Sequence, residues 1–143
     1  MKASEARLLE FLKRSPQFAI PIYQRTYSWG ESECQRLWED ILRTGRDDTV
    51  SAHFVGSIVY VEKGLYSVTS PSSLLVIDGQ QRLTTLTLLI EALARTLGPS
   101  EPIDGFSAKK LRSYYLLNPL EDGERKYKLV LSQADKATLM ALV

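Results

Sequence analysis

One short run concentrates the polar chemistry of this chain: Asp78-Gly79-Gln80-Gln81-Arg82. A carboxylate, two planar amides and a guanidinium stand around one glycine, and such groups recognise anions, metal ions and water. Four apolar residues precede them, Leu74-Leu75-Val76-Ile77, and suit a strand covered on both faces. Beyond them Leu83, Leu86, Ile90, Leu93 and Leu97 recur at helical spacing, with Leu89 and Ala94 widening the stripe, so the spacing predicts a helix over 79–97. Gly79 breaks the strand because it reaches backbone conformations closed to other residues. Gln80, Gln81 and Arg82 then fall in the first helical turn, where several N–H groups have no intrahelical partner. Open donors, the positive end of the helix dipole and an arginine fork make an anion site, and phosphate fits it. The plainer reading of the same residues is a helix capped by Asp78 with a solvated first turn.

A second constellation lies about fifty residues earlier, at Ile20-Pro21-Ile22-Tyr23-Gln24-Arg25-Thr26-Tyr27-Ser28-Trp29. It packs a glutamine, an arginine and three large aromatics into one proline-restricted connection. The aromatics anchor a loop on the core, or Tyr23 or Trp29 stacks on a base or ribose; for Trp29 core anchoring is the expectation. If Arg25 points toward Gly79 it supplies the second positive charge that a polyphosphate requires. That geometry needs the Phe18–Ile20 strand close to the Leu74–Ile77 strand, both ending beside one pocket. The alternative is a structural ion pair of Arg25 with Asp40.

Three segments carry a resemblance: DGQQRLTTL at Asp78–Leu86, the Ile20–Trp29 run of the form IPxYQRxYxW, and FVGSIVY at Phe54–Tyr60. Together they resemble the signatures of the N-terminal domain of GmrSD-type, modification-dependent restriction endonucleases, and the resemblance covers most of the chain. That domain is similar in fold to ParB and sulfiredoxin, which implies an α+β fold with a small mixed sheet packed with helices. The resemblance also implies binding and hydrolysis of a nucleoside triphosphate (NTP) that regulates an attached nuclease. Backbone amides from Gly79 to Gln81, with Arg82 and Arg25, would then hold phosphate oxygens. Asp78 would bind Mg²⁺ or orient the attacking water, and Gln80 or Gln81 would position that water. Tyr23 and Gln24 join Arg25 and Gly79 as nucleotide-binding residues. No Walker-type lysine motif is present, so the site is not a P-loop. Many family members end in an HNH-type nuclease domain, which makes DNA the partner of the full-length protein. A different class of function is a DNA-binding module that senses modified DNA, the motif holding a backbone phosphate. A nuclease in its own right is the third, for which one histidine and no carboxylate cluster give little material.

The formal net charge of +1 gives no overall drive toward nucleic acid, so such contacts must come from a local patch. At 44% hydrophobic and 24% charged residues over 143 positions, the chain suits one soluble domain with a real core. No apolar run approaches the roughly 20 residues that span a bilayer. The first residues carry acidic groups and helical periodicity, unlike a signal peptide. Cys34, the single cysteine, excludes an intrachain disulfide and a cysteine-rich zinc site, and the composition fits a cytoplasmic protein.

The remaining elements follow from local signals. Ser4 to Lys13 reads as a helix ended by Ser15-Pro16. Ser28 and Glu31 have capping-box spacing for a helix with Cys34, Leu37, Trp38, Ile41 and Leu42 on its core face, stopped at Gly45. His53 to Val61 reads as a strand in which Gly56 marks a close approach, and His53 as a structural residue. A turn at Glu62-Lys63-Gly64, a hairpin partner over Leu65–Thr69 and a polar bend over Ser70–Ser73 lead back to the central strand. The loop from Gly98 to Gly105 is the best boundary, dividing a core over 1–97 from the start of a helical extension over 98–143. In that second part Ser107 caps a helix to about Leu117, Lys126 to Leu131 alternates like a strand, and Ser132 with Asp135 caps a last helix. That helix has no stop signal, which points to a piece of a longer protein.

Overall fold

The computed structural model describes residues 3–62 and 73–143. The expected turn at Lys63-Gly64, the hairpin partner Leu65–Thr69 and most of the bend before Leu74 lie outside them. Among the described residues the order is α1 (Leu8–Arg14), β1 (Phe18–Ala19), α2 (Glu31–Arg46), β2 (Val59–Glu62), β3 (Leu74–Asp78), α3 (Gln80–Leu97), α4 (Ala108–Leu111), β4 (Leu129–Val130) and α5 (Gln133–Leu142). A π-helical turn, Arg112–Leu116, continues α4, and a 3₁₀ turn, Gly123–Lys126, precedes β4. The fold is α+β, built on a small mixed sheet with order β2-β3-β1-β4.

β1 is only two residues long, yet it sits between two parallel neighbours. Phe18 pairs with Leu74 and with Leu129, and Ala19 with Leu75 and Val130. Beyond the strand proper, the Leu74 N–H donates to the Gln17 carbonyl at 2.7 Å and the Ile20 N–H to Val130 at 2.9 Å. β2 runs antiparallel along the other side of β3. Phe18, Val76, Leu83 and Leu111 are fully enclosed at the centre of the core, which Leu12, Ile90, Leu116, Leu129 and Leu139 extend. Residues 98–143 therefore contribute a sheet strand and helices to the same core that holds the motif, where the sequence suggests an appended helical part.

Several local expectations change. α2 starts at Glu31 with Gly30 as its N-cap, and the Glu33 carboxylate accepts the Gly30 N–H at 2.9 Å. Ser28 does not cap it: the helix begins two residues further on, behind Gly30, and the Ser28 N–H bonds Gln81 Oε1 in place of a carboxylate of the first turn. The helix also runs through Gly45 to Arg46. Trp38, placed on the core face by periodicity, is 46% exposed, and Leu93 of α3 is likewise open to solvent. The strand read over His53–Val61 forms only from Val59, since Gly56 adopts φ +119°, a left-handed conformation outside any strand. The strand read over Lys126–Leu131 shrinks to two residues. Ser107 does cap α4, its side chain accepting the Lys110 N–H at 3.2 Å. Ser132 is the N-cap residue of α5 without a side-chain cap bond, and Asp135 looks elsewhere.

Candidate functional site

Because β1 and β3 are parallel neighbours, the loops that follow them leave the sheet at the same end. That is where ligands sit in open sheets with parallel strands. β1 passes into a turn closed by the Gln24 N–H on the Pro21 carbonyl at 3.1 Å. The Gln24 side chain then ties this turn to β3, Nε2 donating to the Ile77 carbonyl at 2.9 Å. The two constellations in the sequence are thus brought side by side, as the shared-pocket expectation requires.

β3 enters α3 through Gly79, whose φ of +94° is left-handed. A β-carbon there would meet the Ser57 carbonyl oxygen at 2.9 Å and the Ile58 α-carbon at 3.2 Å, so both conformation and space demand glycine. No side chain caps α3, and the first helical bond recorded beside the junction is Leu83 N–H to Gly79 at 3.0 Å. Among the described residues no acceptor takes the N–H groups of Gln80, Gln81 and Arg82. Asp78 is exposed and does not cap the helix, which removes the plainer role the sequence allows it. The start of α3 therefore keeps its donors open, under the positive end of an 18-residue helix.

The two glutamines do something the sequence does not announce. Both are buried and turned toward the loop after β1. Gln80 Nε2 donates to the Arg25 carbonyl at 2.9 Å. Gln81 Nε2 donates to the Thr26 carbonyl at 3.1 Å, while its Oε1 accepts the N–H groups of Ser28 at 2.8 Å and Trp29 at 3.2 Å. The expectation that Gln81 orients a water is corrected accordingly, since both ends of its amide are engaged with backbone. Between these contacts, the Tyr27 N–H donates to the Asp135 carboxylate of α5 at 2.7 Å. The Tyr27 hydroxyl lies 2.9 Å from Thr85 Oγ1 and 3.4 Å from Cys34 Sγ. Thr85 spends its single hydrogen on the Gln81 carbonyl at 2.8 Å, so Tyr27 donates to Thr85. Burial pushes the Tyr27 phenol up, which keeps that donor in place.

Side chains of α3 and α5 thus grip main-chain groups at five successive residues, Arg25 to Trp29. Thr85, Tyr27 and Asp135 are residues that sequence reasoning misses. The available signal is the set of polar residues, Thr84, Thr85 and Thr87, inside a helix that otherwise reads apolar.

Arg82 is half-buried, with Nη1 donating to the Ser57 carbonyl at 2.8 Å. Its guanidinium covers Gly56, where a β-carbon would lie 2.7 Å from Cζ. One nitrogen is therefore committed, and among the described residues the Nε–Nη2 edge has no hydrogen-bond partner, which leaves it for two anionic oxygens. Arg25 is exposed, and the alternative ion pair with Asp40 does not form: Asp40 takes Arg43 at 2.8 Å, with His53 at 3.7 Å. Tyr23 stands 70% exposed at the tip of the turn beside the site. Trp29 is half-buried and outside the core cluster, so it anchors the loop through its main chain rather than by core packing. Among the described residues no three His, Cys, Asp or Glu side chains cluster to hold a metal ion, and no helix is long and apolar enough to cross a membrane.

An α+β domain with a clamped loop and an open helix N-terminus beside parallel strand ends is the class that this geometry defines. The model of the GmrSD restriction endonuclease N-terminal domain matches residues 7–143, and the chain belongs to that family. No curated protein matches it.

Proposed function

We propose that this domain binds a nucleoside triphosphate at the start of α3 and hydrolyses it. The observation that carries the reading is the run of open N–H groups at Gln80, Gln81 and Arg82, entered through a glycine that admits no side chain. Phosphate oxygens on these donors would also meet the free edge of Arg82, with Arg25 and Tyr23 on the adjoining turn to reach the rest of the nucleotide. Asp78 beside bound phosphates is a like charge, and a divalent cation such as Mg²⁺ between them removes the conflict. Its exposed carboxylate, without a protein partner among the described residues, suits a metal that takes most of its ligands from phosphate and water. Gln80 keeps Oε1 for the attacking water, whereas Gln81 holds the loop. Within a restriction endonuclease, turnover here would regulate a nuclease domain, and DNA would be engaged by the full-length protein.

A second reading has an observation of its own. Ile22 and Tyr23 are 80% and 70% exposed on the turn beside the helix end, where they could pack on a base of modified DNA while α3 holds a backbone phosphate.

Calorimetric titration with ATP and GTP, with and without Mg²⁺, and with short duplex DNA separates the two. Nucleotide binding with phosphate release supports the first reading, and DNA binding without nucleotide binding replaces it by the second. In the first case Arg82→Ala lowers nucleotide affinity by about 1.5–3 kcal/mol, as expected for a charge-assisted fork. Unchanged affinity would remove Arg82 from the site.

A further inference from the structure

We infer that Asp135 is a positioning residue for the nucleotide site, a carboxylate on α5 that holds the Arg25–Trp29 loop against α3 and so links site occupancy to the placement of α5. The inference rests on the nucleotide reading above and adds to it a residue 53 positions beyond Arg82. Its basis is the division of labour along the loop. Gln80 and Gln81 take the carbonyls of Arg25 and Thr26 and the N–H groups of Ser28 and Trp29, all from α3. The Tyr27 N–H lies between them and is taken from α5 at 2.7 Å. Asp135 has the sequence position of a capping partner for Ser132, yet Ser132 makes no side-chain cap and the carboxylate is spent across 108 residues of chain. A charged acceptor on a backbone N–H is among the stronger hydrogen bonds, and here it sets the middle residue of the loop that carries Arg25. Coupling of this kind is reciprocal: whatever fixes the loop for phosphate also fixes α5.

The test compares Asp135→Ala, Asp135→Asn and Lys136→Ala by titration with ATP and GTP in the presence of Mg²⁺. Lys136 pairs with Glu124 of the 3₁₀ turn and, among the described residues, makes no hydrogen bond or ion pair to the loop, so its removal loosens α5 while leaving the bond to Tyr27 in place. Asp135→Ala should weaken binding about fivefold or more, the worth of one such bond. Asp135→Asn keeps an acceptor and should restore most of the affinity, while Lys136→Ala should bind like wild type. Hydrogen exchange of the wild-type chain needs no variant: nucleotide should slow exchange both in residues 25–29 and in residues 132–136. Wild-type affinity in a folded Asp135→Ala, or nucleotide protection confined to α3, overturns the inference while leaving the nucleotide reading intact. Failure of the wild-type chain to bind either nucleotide overturns the reading and the inference together.

Discussion

α2 and α3 are helices of similar length, 16 and 18 residues, and each shows a clear apolar stripe in the sequence. Their fates differ. In α2 only Leu37 is buried, and Trp38 on the same stripe is 46% exposed. In α3 the buried set includes Leu83, Leu86, Ile90 and Ala94, and with them Gln80, Gln81, Thr84, Thr85, Thr87 and Glu91. Apolar periodicity states which face a helix would bury and says nothing about whether a partner is there to cover it. What sets α3 apart is its buried polar groups. Each needs a partner: the threonines find theirs in carbonyls of α3 itself, whereas Gln80, Gln81 and Glu91 reach loop backbone and Arg112, and these three fix α3 in position and register.

The largest effect should come from the charged end of that set. Glu91 is buried and accepts Arg112 twice, at 2.9 and 2.7 Å, and Arg95 at 2.8 Å, which joins α3 to the turn after α4. Burial alone would raise its carboxyl, but the arginine hydrogen bonds outweigh this and hold it below the usual glutamate range. Arg112→Met leaves that carboxylate with Arg95 alone and should cost about 3 kcal/mol in urea unfolding. A depressed carboxylate contributes stability that is present above its unfolded pKa and is lost as pH falls through its folded one. The gap between wild type and Arg112→Met should therefore narrow on acidification below 4.5, the unperturbed value. A gap independent of pH would mean the ion cluster is not what ties α3 down.

Next comes the junction itself. Gly79→Ala forces a β-carbon into a left-handed residue and to within 2.9 Å of the Ser57 carbonyl, at a cost of about 2 kcal/mol. Nucleotide binding should fall with it, because the displaced turn carries the open N–H groups. A variant of wild-type stability would show that the junction has room to relax.

Gln81→Met keeps the length of the side chain and removes its three contacts with Thr26, Ser28 and Trp29. Part of the released backbone can be hydrated, so the loss should be about 1–2 kcal/mol. Faster hydrogen exchange should be confined to residues 25–29. Loosening spread along all of α3 would contradict the assignment of Gln81 as a loop clamp.

The sequence declares β3, Gly79 and the helix after it because each signal is local: a four-residue apolar run, a residue free to turn left-handed, and a 3.6-residue period. It leaves the adjacency of the two motifs open beside an Arg25–Asp40 ion pair, and the parallel pairing of β1 with β3, which puts their following loops together, decides it only in the structure. The clamping role of Gln81 is invisible for the opposite reason. Its partners are main-chain atoms some 55 positions away, and backbone carries no residue-type signal. The late start of β2 has the same origin, for Gly56 is left-handed beneath an arginine that lies 26 residues on. β4 is two residues long and belongs to the sheet only through β1, more than 100 positions earlier, which no local alternation reveals.

The smallest effect is expected at Trp38, and it tests the other helix against a larger loss at its neighbour. Leu37 and Trp38 are adjacent on α2, 8% and 46% exposed respectively. Leu37→Ala deletes buried volume and should cost about 2 kcal/mol, the low end for such a change, because its surroundings are partly open. Trp38→Gln replaces a larger apolar side chain, yet should change stability by less than about 0.5 kcal/mol, since nearly half of that surface already faces water. The order of the two losses is the informative quantity. Hydrophobicity alone ranks tryptophan above leucine, whereas burial ranks leucine far above tryptophan. A Trp38→Gln loss that matched or exceeded that of Leu37→Ala would mean that α2 buries its stripe as α3 does, and the contrast between the two helices would fall.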